Sequence, residues 1–150
     1  MRFKPVPEPP ERLDELDVAR QAVPPEPDPQ ADCCGLVQEE LDLTERDEAA
    51  DWLTFLRALG LVEERSGVYV RTGGDVNRER LAEAFRVYVY GAREVLDVLE
   101  SEGEPLDTDE AVTRIKMRRI DRQHVERVLE WAVLLGLAER ENARHRSNRA

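Results

Sequence analysis

The residues of this chain best suited to specific chemistry are arginines and a glutamine in its last third. Five lie close together and two follow nearer the end: Arg118, Arg119, Arg122, Gln123 and Arg127, then Arg144 and Arg146. An arginine guanidinium can donate paired hydrogen bonds to a phosphate or a guanine edge, and a glutamine amide can pair with adenine. The alternative is an ordinary solvated surface whose arginines are balanced by Glu126 and Glu130. The pattern indicates one of these two.

Motifs for catalysis and metal binding are absent from the sequence. It contains no glycine-rich phosphate loop, no GxSxG, no HExxH and no cysteine–histidine arrangement suited to nucleophilic chemistry. Cys33 and Cys34 are adjacent, and a vicinal pair rarely closes a disulfide. A zinc site would need further ligands at suitable spacing, whereas His124 and His145 are remote from the cysteines. We therefore expect no enzyme, no metal and no cofactor.

The charge of the chain is strongly acidic and unevenly distributed. The net charge is -11, from 33 acidic and 22 basic residues, and only Lys4 and Lys116 are lysines. This composition resembles that of proteins from extremely halophilic archaea, in which acidity maintains solubility. Residues 111–150 carry ten basic and five acidic residues, a net of +5, so residues 1–110 carry -16 (-11 minus 5). The Debye length is only about 3 Å near 1 M salt, so overall acidity does not exclude a nucleic-acid partner.

An amphipathic helix followed by a hairpin is predicted between residues 44 and 72. Thr44 is suited to the N-cap, and Gly60 to the left-handed conformation that ends a helix. Between them, apolar residues recur at helical spacing: Ala49, Trp52, Leu53, Leu56 and Leu59. Residues 61–65 and 68–72 then alternate around Ser66-Gly67, which is a two-residue hairpin signal.

The same pattern recurs 76 residues later. Five of the sixteen residues from 49 to 64 are identical to those from 125 to 140, and "ALGLVEE" corresponds to "LLGLAER". Such self-similarity predicts a duplicated unit, while chance similarity between two leucine-rich helices is the alternative. The second copy continues into "ENARHRSNRA", which lacks strand character. We therefore expect its hairpin to be degenerate or missing.

The order of helix, "ALGLVEE" and hairpin resembles the third helix and wing of a winged helix-turn-helix domain. This resemblance implies that the third helix enters the major groove of DNA and touches bases with its amino-terminal half. In the first copy that half carries Glu45, Arg46, Asp47, Glu48 and Asp51, with a net charge of -3. In the second copy the cationic residues named above lie there, with Arg144 and Arg146 placed to follow the phosphate backbone. The second copy is therefore the better candidate for binding double-stranded DNA.

The predicted fold is mainly α with a small β-hairpin wing, built from tandem winged-helix-like units. We predict an N-terminal arm and first helix (1–30), a first unit (31–75), a second helix-turn-helix unit (76–140) and a basic tail (141–150). A helix over residues 32–41 of the first unit should bury Leu36. The second unit should begin with one long helix from Val76 to Glu102, with Tyr88 on its apolar stripe. Residues 87–90 alone could also form a strand.

A second apolar stripe offers a protein-binding surface. Phe55 in the first copy, and Trp131 and Leu134 in the second, lie outside the main stripe of their helices. Such residues either pack internally or form the seam of a homodimer or another protein complex.

No run of about 18 apolar residues occurs, so no membrane span is expected. The sequence thus predicts a cytoplasmic DNA-binding transcriptional regulator, or alternatively a non-enzymatic protein-protein interaction adaptor.

Overall fold

Two compact units make up the chain, Met1–Asn77 and Arg78–Ala150. The computed structural model describes residues 5–73, 76–115 and 120–148. Each unit consists of short helices followed by an antiparallel β-hairpin. The predicted fold class, mainly α with a small β-hairpin wing in tandem units, is therefore confirmed.

The described residues of the first unit, 5–73 and 76–77, contain three helices and one hairpin. They are α1 (Glu15–Gln21), α2 (Cys33–Glu40), α3 (Arg46–Ala58), β1 (Val62–Arg65) and β2 (Val68–Arg71). The apolar stripe predicted on α3 is buried as expected. The Arg71 amide donates to the Pro24 carbonyl oxygen (2.9 Å), which attaches the proline-rich connection after α1 to β2.

Two details of the first unit differ from the predictions. Helix α3 is capped by Glu45 without a side-chain hydrogen bond, so the N-cap prediction for Thr44 is wrong by one residue. Leu36 is 39% exposed, although we expected it to be buried. Cys33 and Val37 are the buried residues of α2 and lie four residues apart on one line. Leu36 lies on the flank of that narrow face and stays in solvent.

In the second unit, the part that the structure describes (78–115 and 120–148) contains four helices and a three-stranded sheet. They are α4 (Arg78–Tyr88), α5 (Ala92–Glu102), β3 (Leu106–Asp107), α6 (Thr108–Arg114), α7 (Arg122–Leu134), β4 (Ala138–Glu141) and β5 (Arg144–Ser147). The strands are antiparallel in the order β3-β5-β4, and Leu106 pairs with His145. Helix α6 begins with a capping box between Asp107 and Glu110, as the sequence predicts.

The single long helix predicted from Val76 to Glu102 is wrong, because the chain turns a corner between α4 and α5. Gly91 has a φ of +80°, a conformation that a continuous helix does not contain. At this corner Val89 takes the inward position, and Tyr88 is 71% exposed rather than buried. The apolar spacing continued through the corner, so periodicity alone could not reveal it.

The second wing is present, so the prediction that it is degenerate or missing is also wrong. Strand β5 lies within residues 141–150, which we had taken for a basic tail. It pairs with β4 and β3, and only its second residue, His145, is buried. Backbone hydrogen bonds on both sides therefore hold a strand whose other side chains are polar.

The two hairpins repeat each other at a constant offset of 76 residues. Helices α3 and α7 and all four hairpin strands begin and end at positions that differ by 76. The helix ends match too, because the Leu61 amide donates to the Leu56 carbonyl (2.9 Å) and the Leu137 amide to the Ala132 carbonyl (2.8 Å). The structure thus contains the same backbone segment twice.

Side chains close the two hairpins in the same way. The Thr72 hydroxyl donates to the Gly60 carbonyl oxygen (2.8 Å), and the Asn148 amide nitrogen donates to the Gly136 carbonyl oxygen (2.7 Å). Thr72 and Asn148 are again 76 residues apart. The duplicated unit predicted from residues 49–64 and 125–140 therefore agrees with this repeated backbone.

Candidate nucleic-acid interface

Helix α7 presents a polar face near its amino-terminal end. Asp121 caps the helix by accepting a hydrogen bond from the His124 amide (2.8 Å). Arg122, Gln123 and Glu126 are exposed, whereas Val125 is buried beneath them. The predicted residues Arg122 and Gln123 therefore lie on the solvent side of α7.

The Arg122 guanidinium is held by two carboxylates. Its Nε donates to Asp109 Oδ1 on α6 (2.8 Å), and its Nη1 donates to Glu126 Oε2 one turn further along α7 (3.3 Å). The hydrogen bond to Asp109 is the largest of the effects that raise the pKa of Arg122. The guanidinium is thus oriented from α7 towards α6.

An equivalent ion pair occurs in the first unit. Arg46 begins α3, as Arg122 begins α7, and it donates to both carboxylate oxygens of Asp32 (2.8 and 2.6 Å). Asp32 is the N-cap of α2 and also accepts a hydrogen bond from the Gly35 amide. The Arg46 interaction is the largest cause of the lowered pKa of Asp32. In both units an arginine therefore connects the start of the helix before the hairpin (α3 or α7) to the start of the preceding helix (α2 or α6).

The remaining predicted arginines of the described chain also have carboxylate partners. Arg127 lies 3.9 Å from Glu130, and Arg146 lies 3.1 Å from Glu141. Arg144, on β5, is 3.1 Å from Glu110 at the start of α6. The first turn of α6, through Asp109 and Glu110, thus contacts cationic residues of both α7 and the wing.

His124 is a buried polar residue that the sequence analysis did not assign to the site. Its Nε2 donates to the Tyr90 carbonyl oxygen (2.6 Å), and its ring meets the Tyr90 ring edge-on with centroids 5.6 Å apart. Burial lowers the pKa of His124 more than the Tyr90 hydrogen bond raises it, so the neutral imidazole is favoured. His124 thereby joins the start of α7 to the corner between α4 and α5. Its position next to Val125 in the apolar phase was the signal for burial.

The net charge at the start of the helix before the hairpin, which is α3 or α7, differs between the two units. Residues 46–51 carry one basic and three acidic residues, whereas residues 122–127 carry two basic and one acidic residue, so the net charge changes from -2 to +1. Asp47, Glu48 and Asp51 of α3 correspond to Gln123, His124 and Arg127 of α7. The electrostatic difference between the two copies is therefore concentrated at the amino-terminal half of this helix.

The remaining predicted site residues are two arginines before α7 and three apolar residues of α3 and α7. Arg118 and Arg119 lie outside the described residues. Phe55 and Trp131 are 4% and 0% exposed, so they are interior residues and present no surface to a separate partner. Leu134 is half-buried. Internal packing, the alternative stated above, is what the structure shows for the two aromatic residues.

The carboxylate partners and the second wing were missed by the sequence analysis. Asp109 and Glu110 lie in the first turn of α6, and nothing local in the sequence indicates that they face Arg122 and Arg144. The wing did have a signal, because the 76-residue offset places Asn142 on Ser66, and both have positive φ (58° and 53°).

Within the described ranges, no three His, Cys, Asp or Glu side chains are grouped as metal ligands would be. The same part of the chain contains no helix long and apolar enough to cross a membrane.

Comparison with known proteins identifies the family of the chain. The family model of the halobacterial double winged helix domain matches residues 1–150, so the chain belongs to this family. The resemblance to tandem winged helices and to halophilic proteins is thereby confirmed. No curated protein and no solved structure matches the chain.

Proposed function

We propose that this member of the halobacterial double winged helix family is a transcriptional regulator that binds double-stranded DNA through its second unit. The observation that carries the proposal is the charge change at the start of the third helix, where Asp47, Glu48 and Asp51 are replaced by Gln123, His124 and Arg127. Helices α3 and α7 have equal length, but α7 has fewer acidic residues in its amino-terminal half. This half of the corresponding helix approaches phosphates in winged-helix proteins that bind DNA. The first unit, with its acidic α3, then binds another protein.

Cationic residues on neighbouring segments add to this surface. Arg144 and Arg146 lie on β5 of the wing, and Lys116, Arg118 and Arg119 immediately precede α7 in the sequence. Phosphate can replace carboxylate as the partner of an arginine because both accept the same paired hydrogen bonds. The ion pairs of Arg122, Arg127 and Arg144 therefore hold guanidinium groups near the proposed DNA surface without excluding contact to phosphates.

The test is duplex retardation by a variant in which Arg118, Arg119 and Arg122 are replaced by Ala. We expect this variant to lose retardation at the salt concentration where the wild type binds, with unchanged helicity by circular dichroism. The slope of log K against log salt should fall by about 0.9 for each phosphate contact that is lost. Replacing Arg46, Arg57 and Arg65 of the first unit by Ala removes the same charge and should leave binding unchanged. Equal loss in both variants would contradict the assignment to the second unit.

A second candidate is a non-enzymatic protein-protein interaction adaptor. It is favoured by Val87 and Tyr88 at the end of α4, two large hydrophobic side chains that are 49% and 71% exposed. Retention of no duplex by the wild type at any salt concentration would favour this candidate. Binding of a partner that the Tyr88→Ser variant abolishes, and the triple arginine variant does not, would establish it.

A further inference from the structure

Gln123 differs from the other polar side chains on the exposed face of α7. It is the second residue of the helix and is exposed, and within the described part of the chain its side-chain amide makes no hydrogen bond. Its amide offers a donor and an acceptor side by side. This combination can hydrogen-bond to both N6 and N7 of an adenine in the major groove.

The charged neighbours of Gln123 are engaged within the protein. Arg122 donates to Asp109 and Glu126, and Arg127 lies 3.9 Å from Glu130. A guanidinium with carboxylate partners on two sides has its direction set by them, and reading a base would require giving up those contacts. Gln123 has no such contact to give up.

The duplication separates the role of Arg122 from that of Gln123. The first unit keeps the arginine, as Arg46, and keeps its pairing to a carboxylate at the start of the preceding helix, although its α3 is acidic. The arginine thus accompanies the helix-turn-helix geometry in both copies. The glutamine occurs only in the cationic copy, because Asp47 stands at the equivalent position of α3.

We infer that Gln123 determines base specificity by pairing with an adenine, and that Arg122 is a positioning residue that orients α7. The inference rests on the proposed function, since it concerns the DNA surface of the second unit. A bidentate contact of this kind discriminates against other bases by about 5- to 150-fold. Arg122 and the other arginines contribute to affinity on all sequences alike.

The experiment is selection from a pool of randomised duplexes with wild type and with Gln123→Ala. The wild type should enrich an adenine at one position, and Gln123→Ala should lose that preference while binding the pool with similar affinity. Replacing this adenine by 7-deazaadenine removes the N7 acceptor, so it should weaken the wild type and leave Gln123→Ala unaffected. Arg122→Ala should weaken binding to every duplex and keep the adenine preference.

The control is Asp47→Ala, which changes the equivalent position of the first unit and should leave the selected sequence unchanged. If Gln123→Ala keeps the adenine preference, or weakens all duplexes equally, Gln123 does not read a base, although the proposed function stands. If the wild type selects no adenine, the inference fails in the same way. If the wild type retains no duplex, the proposed function fails and the inference fails with it.

Discussion

Arg46 and Arg122 show how one side chain can set the angle between two helices. Each is the first residue of the helix that precedes the hairpin in its unit, and each reaches a carboxylate in or beside the first turn of the helix before it. Both pairs are exposed, so they contribute little to stability. Two hydrogen bonds from each guanidinium nevertheless restrict its direction: both go to Asp32 in the first unit, and one each goes to Asp109 and Glu126 in the second. Their recurrence in an acidic and in a cationic copy argues that the pair belongs to the fold rather than to the ligand.

A first prediction concerns the partner of Arg122. Asp109→Asn keeps the shape of the side chain and removes its charge, which releases Arg122 towards phosphate and removes one repulsive carboxylate. We expect duplex affinity to rise several-fold, with the salt slope steeper by about 0.9. Asp32→Asn makes the same change beside Arg46 and should not alter DNA binding. A weaker complex with Asp109→Asn would show that orientation of Arg122 matters more than its release.

A second prediction concerns the two histidines, both of which are buried in the second unit. Burial lowers the pKa of His145, and the charge of Arg140 lowers it further; burial likewise lowers the pKa of His124. As pH falls below the ordinary value of 6.5, the unfolded chain therefore takes up protons before the folded one. The free energy of unfolding should then decrease towards acid pH, by at most about 1.4 kcal/mol per pH unit for each histidine.

Urea unfolding of the wild type and of His145→Phe between pH 7.5 and 5.5 measures this effect. The aromatic replacement keeps a ring in β5 and removes the titrating group, so its stability should depend less on pH. The same pH dependence in both proteins would mean that other groups, such as His124 or carboxylates, cause the loss.

At the scale of elements, the sequence predicted what depends on local periodicity. Helix α3, its glycine end and the β1-β2 hairpin follow from apolar spacing and from a turn dipeptide, because each residue's environment is set by near neighbours. The corner at Gly91 and strand β5 did not follow in this way. The corner lies within an unbroken apolar stripe, and β5 is held by backbone pairing to β3, nearly forty residues before it in sequence.

The candidate site was predictable in outline only. The position of Arg122 and Gln123 on the outer face of α7 follows from the burial of Val125 three residues into the same helix. The contacts of Arg122 to Asp109 and of Arg144 to Glu110 could not be predicted, since they join elements through tertiary packing. Ion pairs of this kind carry no periodic signature.

A third prediction tests the corner between α4 and α5. A Cβ at Gly91 would lie 2.7 Å from Ile120 Cδ1, and the backbone there has a φ of +80°. Gly91→Ala should therefore destabilise the protein by about 1–3 kcal/mol through strain and displacement of Ile120. Gly103→Ala is the matched control, because its φ is also positive but no atom lies within 4 Å of the new Cβ.

Denaturant unfolding of the two alanine variants separates strain from crowding. The free energy of unfolding should fall more for Gly91→Ala than for Gly103→Ala. Equal losses would mean that Ile120 moves aside at no cost and that backbone conformation accounts for the whole effect.

At the scale of the whole molecule, almost all of the net negative charge lies in the first unit. Residues 1–77 contain 8 basic and 18 acidic residues, and residues 78–150 contain 14 basic and 15 acidic residues. The net charges are thus -10 and -1, which add to the total of -11. Repulsion among like charges opposes compaction, and salt screens it. The first unit should therefore depend on salt much more than the second.

A fourth prediction follows for the separate fragments 1–77 and 78–150. Domains of this size can fold alone, and each fragment here contains its own helices and hairpin. Followed by circular dichroism as KCl is diluted, the 1–77 fragment should unfold at a higher KCl concentration than the 78–150 fragment. The 78–150 fragment alone should retard duplex DNA. Identical salt midpoints would show that net charge does not control the salt requirement.

The constant offset between the two hairpin segments has an evolutionary consequence. Residues 46–72 and 122–148 have equal length and matching backbone bonds, so recombination between the gene copies would leave the reading frame and the loop lengths intact. Their interiors no longer agree, because Val128 and Ala132 stand where the first copy has Trp52 and Leu56. An exchanged segment would bring a cavity into one half and excess volume into the other. Because the two segments differ in the volume of their buried side chains, replacement of one by a copy of the other would destabilise the protein and be selected against.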